Sequence, residues 1–316
     1  MKPRVAIAMG DPGGIGPEIA IKAALDKRVR AMCEPVVVGA PDVLKFYRVP
    51  KAVQVVKTEN REFHVGEIHA EHGLAALDAA RTAIQGALAG KFDAVVAAPH
   101  SETAIHAAGI EFDGYPSFVA RTTGLAPDEG ILMLCFDHGG REVRIAHVTL
   151  HISVRDALRL ISKDRVLRTI KAVQTALVAI GIQTPKIAVG GVNPHAGEGG
   201  LFGDDEQRTV IPAIEAARKQ GVTVDGPIGA DIMIQRPGYD AYLVMFHDQG
   251  HVAAKLLAPQ RVAGLTIGTP VIFSSVAHGA AFDIAGTNRA NPAAMVEAIT
   301  RLVGQRRRSS ATKKSK

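Results

Sequence analysis

Three histidines each stand at or just beyond an apolar, β-rich run. His151 follows "VRIAHVTL", His195 follows "KIAVGGVNP", and His247 ends "AYLVMFH". Imidazole nitrogens bind divalent metals, and three of them with an open position make a standard catalytic set. If the three strands are neighbours, their ends bring the rings to one edge of a sheet. Taken singly, each histidine reads at least as well as a capping or packing residue, and spacing alone leaves both readings open. The third lies in a crowded stretch. "HDQGHVAAK" (247–255) adds Asp248, Gln249, His251 and Lys255 at the mouth of a strand.

Three glycine-rich stretches accompany them. "MGDPGGIGPEIA" (9–20) turns from a strand into a helix, with Pro17 and Glu18 suited to its first turn. Pro12 and the glycine spacing depart from Gly-x-Gly-x-x-Gly, so a tight structural turn competes with ligand contact. "GGVNPHAGEGGLFGDDE" (190–206) places His195 in the kind of loop where α/β proteins hold ligands. "SSVAHGAAFDIAGTNRANPAAM" (274–295) carries Gly279 and Asp283 before a helix start at Asn291 and Pro292. An acid beside such a loop can accept the ribose hydroxyls of NAD, and a turn-rich connection is the alternative.

The elements that must position these residues follow from periodicity. Residues 4–10, 34–40, 93–99, 131–136, 143–150, 186–194 and 241–247 read as strands. Residues 17–25, 73–90, 153–181, 208–221 and 291–305 read as helices by their 3.6-residue spacing. This alternation predicts an α/β protein with a mixed, largely parallel sheet. The 316 residues suffice for two lobes, and the absence of a long linker predicts that the chain crosses between them.

Composition excludes several classes. No apolar stretch is long enough to span a membrane, and the start lacks a signal peptide's apolar region, so a cytoplasmic, membrane-free protein is expected. Cys33 and Cys135 are far apart and outside any metal-ligand spacing, which predicts two reduced thiols. The net charge of +6 sits in "QRRRSSATKKSK" (305–316), and removing its six cations leaves residues 1–304 neutral. A solvated, disordered tail is expected there, and no nucleic-acid partner.

"HGAAFDIAGTNRANPAAM" resembles the adenosine-binding loop of isopropylmalate and isocitrate dehydrogenases. From "GDPGGIGPE" through "NPHAGEGG", "GPIGAD" and "HDQG", residues 4 to 304 resemble the 4-hydroxythreonine-4-phosphate dehydrogenase family. The resemblance implies a two-lobed isocitrate/isopropylmalate dehydrogenase-like fold. Residues 1–125 plus 258–304 would form an NAD-binding lobe, and 126–257 a metal and dimerisation lobe. It also implies a homodimer with a shared active site. There a divalent metal (zinc, or cobalt, manganese, iron or magnesium) would sit on His151, His195 and His247. Lys255 matches the substrate-site lysine. Gly279, Asp283 and Asn291 fall in the NAD loop, with Asp283 at the ribose and Asn291 at the adenine.

Departures from the biosynthetic pattern concern the substrate. That family has Gly-His-Thr where this chain has Gly114, Tyr115 and Pro116, an Asn at Gly264, an Arg at Phe273, and commonly a Lys near Glu102. Phosphate recognition needs charge-assisted donors, and these replacements remove them. "PHSETAIHAAGIEFDGYPS", "LFGDDE", "HDQGHVAAKLLAP" and "SSVAHGAAFDIAG" are similar to the terephthalate cis-dihydrodiol dehydrogenases. That branch implies Tyr115 and Phe273 facing a ring and His100 and His106 facing a distal carboxylate, though a surface position is the stronger expectation for His106. The expected reaction is metal-assisted oxidation of a hydroxyl β to a carboxylate by NAD, then loss of CO2 to give protocatechuate. Lys255 would bind the carboxylate or move a proton, and Asp248 would steady the metal ligand or act as base. A phosphate-ester dehydrogenase and a non-catalytic NAD-binding protein are the alternative readings.

Overall fold

The computed structural model describes residues 2–259 and 261–314. The strands are β1 (Arg4–Ala8), β2 (Glu34–Gly39), β3 (Gln54–Lys57), β4 (Ala94–Ala97), β5 (Ile131–His138), β6 (Arg141–His147), β7 (Lys186–Gly190), β8 (Thr223–Ile228), β9 (Ala241–Val244), β10 (Ala263–Ile267) and β11 (Phe273–Val276). The helices are α1 (Gly16–Leu25), α2 (Lys27–Met32), α3 (Pro41–Phe46), α4 (Ala70–Leu88), α5 (Glu102–Ala107), α6 (Tyr115–Thr122), α7 (Val154–Leu160), α8 (Lys163–Ala179), α9 (Ile211–Lys219), α10 (Ala230–Met233), α11 (His247–Leu257) and α12 (Ala293–Lys314). The chain is the expected mixed, largely parallel α/β protein. It divides into two compact units, Met1–Gly130 with Gln260–Gly304, and Ile131–Pro259 with Gln305–Lys316.

In the first unit the strand order is β3-β2-β1-β4-β11-β10. All pairs are parallel except β10 with β11. β1 lies between β2 and β4, and its residues Val5, Ala6, Ile7 and Ala8 are fully buried. A strand covered on both faces reads as an unbroken apolar run, as "VAIA" does. α4 turns a row of alanines (Ala75, Ala76, Ala79, Ala80 and Ala83) into the core. Small residues let this helix approach its neighbours closely. At Gly73 an added Cβ would lie 2.6 Å from the backbone of Ala104 in α5.

In the second unit the order is β5-β6-β9-β7-β8. β5 and β6 form an antiparallel hairpin turning on Gly139 and Gly140, both at positive φ, as a two-residue hairpin turn demands. The remaining pairs, β6 with β9, β9 with β7 and β7 with β8, are parallel. The carboxyl ends of β6, β9 and β7 therefore lie side by side on one edge.

Several boundaries differ from the sequence expectation. The helix expected over 153–181 breaks at Ile161, because the Ser162 side chain accepts from the Arg165 N–H and starts α8 afresh. The strand expected over 241–247 ends at Val244, and His247 opens α11. The Gln249 Oε1 takes the N–H groups of Met245 and Phe246, which ends the ladder there. The short β3, β8, β10 and β11 carried no expectation. The backbone of α12 runs on to Lys314, into the stretch expected to be disordered, and residues 315 and 316 lie outside the described residues.

The close approach at Gly73 gives a direct test. Gly73→Ala forces a Cβ against backbone, and overpacking of this kind costs about 1–3 kcal/mol. Chemical denaturation should show that loss, and an unchanged midpoint would contradict the packing described.

Candidate active site

The parallel strands of the second unit set up the site. Beyond β6 and β9 the chains stay knitted together. Val148 N–H donates to Val244 O at 2.9 Å, Thr149 N–H to Met245 O at 3.2 Å, and Thr149 Oγ1 to Met245 O at 2.6 Å. This lattice carries His151 and His247 to neighbouring positions, with ring centroids 5.3 Å apart. Gln249 Nε2 donates to Gly191 O at 3.2 Å, tying the end of β9 to the end of β7.

His247 is fixed on two sides. Its Nδ1 donates to Asp248 Oδ1 at 2.7 Å, and the His251 ring stacks on it at 3.7 Å with the planes 8° apart. A histidine held at Nδ1 by a carboxylate has its Nε2 as the ligand atom. That hydrogen bond holds the Asp248 carboxyl below its ordinary range. His251 in turn lies 4.9 Å from His147, and its Nδ1 reaches the His247 carbonyl at 3.2 Å. Burial pushes His147 down to about 3 and His251 down to about 4, so both rings are neutral at physiological pH. Gly250 is needed here, since a Cβ would meet His147 Nε2 at 2.3 Å. An open cleft of about 490 Å³ is lined by Thr149, His151, Val154, Phe246, His247 and Asp248.

His195 behaves differently. It is exposed, at φ 51°, on the loop beyond β7, and the aromatic ring it meets is Phe202, at 6.1 Å. Among the described residues no group of three or more His, Cys, Asp or Glu side chains is arranged to hold a metal. The paired imidazoles of His151 and His247, one steadied by a carboxylate, have the donor chemistry for a divalent cation. Lys255 is exposed on α11, two turns beyond His247.

The first unit holds the other expected residues. Tyr115 is 4% exposed and Phe273 fully buried, with their rings 5.0 Å apart in the core. His100 is half-buried, edge-on to Tyr115 at 4.6 Å and to Phe112 at 4.9 Å. Gly279, Asp283 and Asn291 are exposed on one connection between β11 and α12, and Asn291 Oδ1 accepts from Ala293 N–H at 2.9 Å. Glu18 and Lys22 of α1 hold that connection. Glu18 Oε1 accepts from Ala290 N–H at 2.8 Å, and Lys22 Nζ donates to the carbonyls of Asn288 and Ala290.

Sequence reasoning missed the core of the Gly-rich turn. Asp11 is fully buried and accepts from Gly13 N–H at 2.8 Å, while its Oδ2 has no partner. His72 Nδ1 lies 3.6 Å from Asp11 Oδ1, and its Nε2 accepts from His64 N–H at 3.0 Å. His72 is therefore a neutral ring with its proton on Nδ1, and burial pushes its pKa down. Desolvation pushes the Asp11 carboxyl up to about 6. The only sequence signal was an acid inside an apolar, glycine-rich turn.

With the site described, its relatives can be placed. The chain is 41% identical over 318 residues to a 1,2-dihydroxy-3,5-cyclohexadiene-1,4-dicarboxylate dehydrogenase of a Comamonas species, covering 96% of this chain and 98% of that one. It resembles the crystal structure of a terephthalate 1,2-cis-dihydrodiol dehydrogenase from Burkholderia xenovorans, at 43% identity and TM-score 0.69, over 96% and 98% of the two chains. It also resembles a 4-hydroxythreonine-4-phosphate dehydrogenase from Klebsiella pneumoniae, at 33% identity and TM-score 0.83, over 97% and 98%. Fold and relatives together define an oxidoreductase of the dehydrogenase class. Residues 18–302 match the family described as pyridoxal phosphate biosynthetic protein PdxA, and the chain belongs to it. No helix among the described residues is long and apolar enough to cross a membrane.

Asp11 gives a pH test. Its folded pKa, about 6, lies above the ordinary 3.8, so the folded chain ionises it reluctantly. Stability is therefore lost as pH rises from about 4 to about 6, by about 3 kcal/mol for two pKa units. Asp11→Asn keeps the Gly13 acceptor and removes this cost. Urea unfolding at both ends of the window should show wild type falling relative to the variant, and parallel curves would refute the assignment.

Proposed function

We propose that the chain oxidises a cyclic cis-dihydrodiol dicarboxylate of the terephthalate type with NAD, and that decarboxylation follows. The observation that carries the reading is the apolar packing found where a phosphate would need charged donors, with Tyr115 and Phe273 buried in the core of the first unit. His100 sits edge-on to Phe112 and Tyr115, with Phe273 behind Tyr115. Half-buried His100 would be the group of this cluster to meet the distal carboxylate of a ring diacid. A phosphate ester would need the charged donors that Tyr115, Gly264 and Phe273 replace. The identities of 41% and 43% to dihydrodiol dehydrogenases, against 33% to the phosphate-ester enzyme, support the same choice.

His151 and His247 would hold a divalent metal, zinc by its liking for imidazole, with His195 completing the set across a homodimer. A bound metal would polarise the substrate hydroxyl, which would lose its proton to solvent as its carbon gave hydride to NAD. Asp248 accepts the His247 Nδ1 proton and fixes the tautomer. A carboxyl held below its ordinary range is a weak base, so Asp248 serves as the orienting group rather than the base. Lys255, exposed on α11, is the cation for the substrate carboxylate adjoining the reacting carbon. The carbonyl formed β to that carboxylate makes loss of CO2 downhill, and aromatisation drives the sequence. Asp283 would accept the ribose hydroxyls, with Gly279 giving close approach and Asn291 at the adenine. Exposed Val154, Leu201 and Leu256, at 70%, 74% and 77%, give the second unit apolar surface that a second copy of the chain would cover.

The purified protein should form NADH with the cis-dihydrodiol of terephthalate and lose that activity on chelation, with recovery on added zinc or cobalt. His247→Ala should lower turnover by at least about 100-fold, the scale of losing a metal ligand's contribution. Turnover of 4-hydroxythreonine 4-phosphate in preference to the diol would overturn the substrate assignment.

A further inference from the structure

The loop beyond β7 is built around one buried carboxylate. Glu206, 1% exposed, opens a π-helical turn (Glu206–Val210) that leads into α9. Its Oε1 accepts from the N–H groups of Val192 and Asn193, both at 2.8 Å. Its Oε2 accepts from Asn193 Nδ2 at 3.0 Å. The same carboxylate fills the side-chain space of two glycines. A Cβ on Gly191 would lie 3.1 Å from Oε1, and one on Gly197 would lie 2.6 Å from Oε2.

Above it the backbone is left-handed for five residues. His195, Ala196, Gly197, Glu198 and Gly199 have φ of 51°, 55°, 78°, 43° and 68°. Three of these carry a Cβ, and each is penalised in this region. Such a run persists only where the surroundings over-determine it, and strain of this kind collects at functional sites. His195, first in the run, is exposed. Its placement is therefore set from beneath, through the backbone.

We propose that Glu206 is a positioning residue, whose buried carboxylate clamps the left-handed turn that presents His195. The inference deepens the reading of His195 as a metal ligand and rests on it. Glu206 touches no reacting atom, and it acts by holding the segment 192–197 in a conformation the chain would otherwise leave. The carboxylate also accounts for two glycines of "GGVNPHAGEGG", at 191 and 197.

Two readouts separate the clamp from the ligand role. A glutamate-specific protease cuts after Glu198, within the turn. The full-length folded protein should resist it, and Glu206→Ala should be cut at least about tenfold faster, because local opening governs cleavage. Cobalt titration, followed by visible absorption, should show binding weakened by about 10–100-fold in Glu206→Ala. Glu206→Gln keeps the oxygen that takes both backbone N–H groups but sets its NH2 against Asn193 Nδ2, so it should fall between wild type and Glu206→Ala in both assays. Normal protease resistance with normal cobalt affinity in Glu206→Ala overturns the proposal, given that His195→Ala loses cobalt. If His195→Ala binds cobalt like wild type, the ligand reading falls, and the protease rate alone upholds or overturns the clamp. Should Glu206→Ala not fold, Ala196→Gly decides. It relieves one strained residue with Glu206 in place and should raise the melting temperature, and a lowered one counts against the clamp.

Discussion

Everything at the candidate site depends on the parallel alignment of β6, β9 and β7. Parallel pairing puts three carboxyl ends on one edge, and the connections leaving that edge carry His151, His247 and His195. Backbone bonding alone does not finish the arrangement. Thr149 extends the β6–β9 pairing past the strands, and Gln249 reaches from α11 to Gly191. Polar side chains thus continue the sheet's order into loops, where function needs fixed positions without regular structure.

The two units solve the same problem with different chemistry. In the second, imidazoles lie against one another from buried His147 through His251 and His247 to His151. Burial keeps His147 and His251 uncharged, so these two lie together without repulsion. In the first, aromatic carbon does the positioning, with Tyr115 and Phe273 behind His100.

Much of this could be read from the sequence, for physical reasons. Buried parallel strands declare themselves as unbroken apolar runs, so β1, β2 and β7 were legible, as was the α/β class. Three histidines after three strands pointed to one edge, and two of them do meet. The ends of elements were not legible, because side chains set them. Gln249 stops β9, Ser162 splits a helical pattern, and Glu206 takes the N–H groups that a longer β7 would have used. Nor did spacing reveal Asp11 with His72, 61 residues apart, since long-range polar pairs leave no period. The aromatic residues at 115 and 273 were legible as ring-bearing, but the packing that buries them was not.

The division of the chain also bears on how the protein is made. The sheet-bearing body of the second unit runs unbroken from Ile131 to Pro259, whereas the first is closed only by the segment after Gln260. β11 must pair with β4, joining residues such as Ser274 and Val96 about 180 positions apart, and such closure is slow because chain entropy is lost before contacts compensate. During synthesis the second unit can fold while the first still waits for its last strands. Until they arrive, β4 presents an open, apolar edge, the kind of surface that invites aggregation. A chain released early, before residue 273, would keep its histidine edge yet leave β4 without its β11 partner.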